Sequence, residues 1–246
     1  MFGVDQKNEV TIFPIQKQIK LTNKFMSDFD EMSDDHWMTT IDTPIKEFAF
    51  DISESDKIKK ITFHFKKIMD VLGLDLQDES LKGTPERVAK MYVNELFSGL
   101  NPSSLPEMSL FPNNYRYNGM LVEKDIELYS ICEHHFIPFV GKVHVAYIAN
   151  ENIIGLSKIN RIVQHFANRP QVQERLTIQI VDKLKEVVKT DDVACVIEAK
   201  HLCVSMRGVK DSTSSTITAK YSGTFNETAV KEEFFKHINL ESKFDI

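Results

Sequence analysis

Residues 121–149 read "LVEKDIELYSICEHHFIPFVGKVHVAYIA", and the pattern on either side of the polar knot at 132–135 has a period of two. Apolar and polar residues alternate over 121–131, predicting a strand that runs into Cys132. Phe139–Ala149 predicts a second strand, with a turn at Ala149–Asn152 and a short return after it. Between the strands stand Cys132, Glu133, His134 and His135, a thiol and three ionisable side chains that chemistry can use.

Outward from these strands the period changes. Downstream, Ile159, Ile162, Val163 and Phe166 form the apolar stripe of a helix over Ser157–Ala167, and Leu176, Ile180, Leu184 and Val188 that of a second over Val172–Val188. Strands return at Val193–Met206 and at about 216–225. Upstream, Ile58, Ile61, Phe65, Ile68, Met69 and Leu72 repeat at helical spacing, with Gly73 placed to stop the helix. In "GTPERVAKMYVNELFSGL" (83–100), Thr84 is placed to cap, Pro85 suits the first helical position and Gly99 can end the helix. Residues 101–119, rich in Pro, Asn and Ser, read as a loop. Pairs of helices and pairs of strands, rather than strict alternation, predict an α+β fold with an antiparallel sheet carrying helices on one face. Three regions follow: an acidic arm over 1–52, a helical region over 53–119, and a sheet domain with a C-terminal tail over 120–246.

Composition narrows the classes. The chain has 246 residues, 42% of them hydrophobic, enough for a core of ordinary size. No run approaches the roughly 18 apolar residues of a membrane span, and the start "MFGVDQKNEV" lacks a basic-then-apolar leader pattern, so a cytoplasmic protein is expected. Three cysteines, an odd number without framework spacing, read as thiols in a reducing compartment. The net charge is −6, of which residues 1–52 hold ten acidic against five basic side chains. That arm reads as a mobile or docking segment, and the chain lacks the basic excess of a nucleic-acid surface.

Cys132 and His135 have C-x₂-H spacing, at which a turn brings two side chains onto one ion. His201 and Cys203, alternate residues of the next-but-one strand, can share a face and meet them; two thiolates and imidazole suit Zn²⁺. Cys195 lies about 26 Å away along a strand and reads as a small buried residue. If all four residues bind, the site is a closed structural zinc. If His201 stays off, three ligands leave a position open for catalysis, with His134 and His201 as acid/base groups. Spacing leaves both open.

Lys158, Arg161 and His165 fall opposite the stripe of the helix opening at Ser157, so two cations stand beside its free N-terminal amides, a seat for phosphates. Arg207 follows the metal strand, and Arg87 sits in a first helical turn, where a cation opposes the macrodipole and invites an anion. Each alone also reads as a solvated charge. Glu174, with Gln173 beside it, either stabilises a helix start or accepts the paired N–H donors of a substrate such as a guanine edge.

Four blocks, "GTPERVAKMY", "CEHHFIPFVGKVHVAYI", "GLSKINRIVQHFANRPQVQERLT" and "HLCVSMRGVKDSTSSTIT", resemble in order those of the GTP cyclohydrolase I family, covering roughly 55–226. The resemblance implies a tunnelling fold: a four-stranded antiparallel sheet with two helices on one face, preceded by an N-terminal helical region. It also implies a homodecamer with active sites at subunit interfaces. The implied reaction turns GTP and water into formate and 7,8-dihydroneopterin triphosphate, the first step towards tetrahydrofolate or tetrahydrobiopterin. By the same resemblance Cys132, His135 and Cys203 hold zinc and His201 does not. Water activated there attacks C8 of the purine while His134 and His201 move protons. Glu174 with Gln173 holds the guanine edge, and Lys158, Arg161 and Arg207 bind the triphosphate. Arg87 reaches the phosphates from a neighbouring subunit, and Ser157 serves the later ring closure. "FANRPQ" departs from the family's usual double arginine at Asn168–Arg169, and the role of residues 1–52, whether as cap, regulator site or free arm, has no counterpart. Three rivals stand beside this reading. A nitrile reductase of the same fold would use no zinc, a structural zinc module would have a closed site, and a zinc deaminase would need an HxE and PCxxC pattern that the chain lacks.

Overall fold

A computed structural model describes residues 40–240. The arm expected over 1–52 lies outside the described residues as far as residue 39. Its remainder, 40–52, runs in bends and turns, with Thr43 buried.

Two helices open the described chain: α1 (Glu54–Val71), capped by the Ser53 hydroxyl on the Asp56 N–H, and α2 (Thr84–Met91). Thr84 does not cap α2. It is the first helical residue, and its hydroxyl accepts instead from Arg87 Nη2 at 2.8 Å. Past α2 the chain widens into a π-turn at Tyr92–Leu96, and Gly99 meets the end of a later helix backbone to backbone rather than closing its own.

The expected loop over 101–119 contains β1 (Leu110–Pro112). Then come β2 (Met120–Cys132), β3 (Pro138–Ile148), β4 (Asn152–Ile154), α3 (Leu156–Ala167), β5 (Pro170–Gln171), α4 (Gln173–Val188) and β6 (Val193–His201). A single turn, α5 (Leu202–Ser205), β7 (Thr216–Tyr221) and α6 (Thr228–Ile238) complete the described chain. The main sheet has the order β5-β2-β3-β6-β7. Its four long strands are antiparallel, and the two residues of β5 add a parallel fringe to the last two of β2. β1 and β4 pair separately. The fold is thus α+β, as the pattern predicts, with a fifth short strand that two residues of sequence could not announce.

Period two assigns the faces. Leu128, Phe139, Val143, Val145, Tyr147, Cys195 and Ile197 point into one core with Ile159, Ile162 and Val163 of α3 and Leu176, Ile180 and Leu184 of α4. Ala146, Ala194 and Val196 face the other way, onto Phe225 and Phe234, so α6 covers part of the second face where a tail was expected. Near Cys132 that second face is bare: Glu127, Tyr129, Lys142 and Lys200 are exposed. β2 bulges between Glu123 and Ile126, where Asp125 takes φ 59 and donates its N–H to His144 Nδ1. Both sheet edges are open among the described residues. Nothing pairs the outer side of β7, and β5 covers only Ile131 and Cys132 of β2. Among the described residues no helix is long and apolar enough to cross a membrane.

Candidate metal centre and substrate site

The central position of β3 builds the site. Its first residues pair with the end of β2 on one side (Ser130↔Phe139) and with the end of β6 on the other (Phe139↔His201), so both candidate half-sites arrive at one end of the sheet. After Cys132 the chain makes one helix-like turn, Phe136 N–H donating to Cys132 C=O at 2.9 Å, which places residues three apart on one side. Cys132 and His135 are therefore neighbours, and Phe136 leaves the turn with φ 53.

β6 stops at His201, so Cys203 is not the alternate strand residue that spacing suggests. The turn of α5 carries it inward, and one ligand atom each of Cys132, His135 and Cys203 lies within 4.8 Å of the others. Two thiols and an imidazole converging so closely at one surface fit a tetrahedral zinc with one position left over. Burial and the neighbouring Cys132 thiol push the Cys203 thiol up, while Arg207 draws it down. Arg207 also donates through Nη1 to His135 Nε2 at 2.8 Å.

His201 stands apart from that set. Its ring stacks on Phe139, 4.7 Å between centroids at 8°, and its Nε2 meets Gln173 Oε1 at 2.8 Å. The amide of Gln173 is assigned by its surroundings: Nε2 donates to the carbonyls of Ile197 and Thr216 and to Thr218 Oγ1, which leaves Oε1 as the acceptor. His201 therefore carries its proton on Nε2 and a lone pair on Nδ1. Burial lowers its pKa, against the charge of Glu174, which raises it. Gln173 is 1% exposed. Its side chain is spent on His201 and the sheet, leaving Glu174, the next residue at the open end of α4, to face outward. His134 Nδ1 lies 3.8 Å from Cys132 Sγ, and His134 forms part of the wall of a hollow of about 770 Å³ that Ile45, Phe48, Phe136 and Pro170 also line.

Of the phosphate residues, Arg207 joins this end and the others do not. α3 runs alongside β2 in the same direction, Asn160 Nδ2 reaching Glu123 at its start and Ala167 C=O taking the Ser130 hydroxyl at its end. Arg161, Lys158 and Ser157 lie six, nine and ten helix residues before Ala167, and Cys132 lies two strand residues beyond Ser130, which puts them roughly 15–25 Å from the metal cluster of their own chain. Arg87 belongs to α2, where Ser80 C=O and Thr84 Oγ1 hold its guanidinium. His165, expected opposite the stripe with the two cations, is buried: it takes a hydrogen bond from Arg169 Nη2 at 2.5 Å and gives one to Ser104 Oγ at 2.9 Å. The departure toward Asn168–Arg169 thus has work inside the fold, Asn168 Nδ2 also reaching Ser98 Oγ.

Glu133 and Arg175 escape a reading by sequence. Arg175 is fully buried and forks onto both carboxylate oxygens of Glu133, at 2.5 and 3.1 Å. Two charges 42 positions apart carry no local signal, and each taken alone reads as surface.

Comparison with known proteins places this geometry. The sequence profile of GTP cyclohydrolase I matches residues 61–239. The GTP cyclohydrolase 1 of Flavobacterium johnsoniae is 54% identical over 215 residues, 87% of this chain and 96% of that protein. Those of Aeromonas salmonicida and Klebsiella pneumoniae are 51% and 46% identical, over 75% and 80% of this chain and 84% and 90% of theirs.

Proposed function

Since the chain belongs to the GTP cyclohydrolase I family and converts GTP and water to formate and 7,8-dihydroneopterin triphosphate, we propose that the reaction runs at a zinc held by Cys132, His135 and Cys203. The observation that carries this reading is the convergence of those three donors with His201 turned away onto Gln173. When bound, zinc supplies Lewis acidity that makes water a competent nucleophile near neutral pH.

The chain's own residues do the rest. Glu174 presents a carboxylate to the paired N–H donors of guanine, fixing which face of the purine meets the metal. His201, neutral and held by Gln173, offers the Nδ1 lone pair, so it takes a proton as the imidazole ring opens. His134, beside Cys132, supplies the second proton relay for release of formate. Arg207 brings a fixed cation to the metal end for the phosphates. Gln173 acts through His201 and its side chain leaves guanine to Glu174.

Lys158, Arg161 and Ser157 serve the triphosphate and ribose of a site completed by another subunit, because α3 carries them roughly 15–25 Å away from their own metal end. A tunnelling fold assembled as a homodecamer of two stacked rings would supply that arrangement. Two open sheet edges and the exposed apolar face of α1 (Phe63, Ile68, Val71, Leu72) are the surfaces such a ring would cover, and Arg87 lies on the same helical region. The test is to incubate the purified chain with GTP before and after chelation. Formate and pterin in equal amounts, lost with the metal and restored by zinc, are expected; full turnover in metal-free protein would refute the zinc.

A further inference from the structure

We infer that Glu133 and Arg175 are positioning residues for the metal loop, and that Arg175 fastens the loop to the segment entering at Thr40. The inference rests on the zinc reading above. Glu133 lies between Cys132 and His134 and is fixed twice: its N–H donates to Gln171 C=O at 2.9 Å, and its carboxylate takes both arms of the Arg175 fork. A residue held by main chain and side chain alike removes torsional freedom from the peptide units on either side, and those units aim Cys132, His134 and His135. The pairing is obligatory, because a guanidinium with no exposed surface has no water to turn to if its carboxylate leaves.

The third edge of the guanidinium leads elsewhere. Arg175 Nε donates to Thr40 C=O at 3.1 Å, and Gln179, one turn further along α4, donates through Nε2 to Ile41 C=O at 3.0 Å. Gln179 Oε1 in turn accepts from Gln171 Nε2, which also reaches Phe166 C=O. One face of α4 thus captures two successive carbonyls of the incoming segment, with Thr43 buried beyond them, and uses the same arginine to hold the metal loop. This is a supporting shell behind the ligands, of the kind whose loss costs about 10–100-fold in metal affinity or activity.

The test uses the full chain stripped of metal, with Glu133→Gln and Glu133→Ala beside the unaltered protein. Zinc affinity is read by competition with a chromophoric chelator, stability by melting of the zinc-free chains, and kcat and KM for GTP at saturating zinc. Expected are a ten- to hundredfold weaker zinc affinity, a fall in kcat and a lower zinc-free melting temperature, each larger for Ala than for Gln, with KM little moved. If zinc affinity and kcat match the unaltered chain, whether or not melting falls, the pair is only part of the scaffold and the inference is overturned. If the unaltered chain itself takes up no zinc, the zinc reading falls and this inference with it. Should Glu133→Ala not fold, Glu133→Gln, which keeps the length and one acceptor for Arg175, carries the same comparison.

Discussion

His201 and Cys203 are two residues apart, and because the strand ends between them only Cys203 turns to Cys132 and His135, which is why different tasks are proposed for the two. A ligand and a proton carrier respond differently to removal: His201→Ala is expected to keep stoichiometric zinc while formate release falls at least about a hundredfold, the size of a lost acid/base group. Loss of zinc in parallel with activity would return His201 to the ligand set. Gly99 is another residue whose identity is dictated by geometry. A Cβ there would overlap the carbonyl oxygen of His165 and crowd that of Asn168, and both belong to the backbone of a helix end that cannot rotate away. Gly99→Ala should cost roughly 1–3 kcal/mol, as overpacking does, and lower the melting temperature by several degrees; unchanged melting would show that the π-turn before it yields.

At the level of elements, α3 is tied to the loop at 101–104 through one histidine whose protonation state can be worked out. Arg169 only donates, so His165 Nε2 accepts; Nδ1 then donates to Ser104, whose hydroxyl passes on to Asn101 C=O. Burial, with Arg169 and Lys183 adding to it, pushes the His165 pKa down to about 4. A group with a depressed folded pKa that must be neutral in the fold contributes fully above the unfolded value near 6.5. The contribution drains away as pH falls from there to about 4, a loss on the order of 2–3 kcal/mol. His165→Asn should flatten the melting temperature against pH in that window, and parallel curves for the two proteins would refute the assignment. The elements themselves were mostly legible. Helical spacing marks α1, α3 and α4, and period two marks β2 and β3, because burial on one face leaves a local trace. What left no trace is pairing at a distance: the Glu133–Arg175 fork, the inward turn of Gln173, and the burial of His165, a polar residue on what reads as the outer face. Spacing brought Cys132, His135, His201 and Cys203 together as candidates, left the place of His201 open, and misread the route to Cys203, since α5 and a continued strand differ by a single turn that composition does not distinguish.

At the level of the molecule, one end of the sheet holds Cys132, His135 and Cys203 with His134, His201 and Glu174, and α3 carries Lys158 and Arg161 away from it. A site shared between copies predicts complementation. Chains carrying His134→Ala and chains carrying Lys158→Ala, each inactive alone, should regain activity when dissociated and reassembled together. Random assortment gives about a quarter of the sites both intact halves. No recovery, with mixed assemblies shown to form, would mean that each chain serves its own metal. The same separation makes output a matter of concentration as well as of catalyst. If the site is shared in this way, a freshly made or diluted chain would keep its Cys132–His135–Cys203 pocket and Arg207 but lack Lys158 and Arg161 beside them, so activity per chain should fall away below the assembly threshold instead of staying constant. Synthesis would then have to accumulate before a single molecule of GTP is committed.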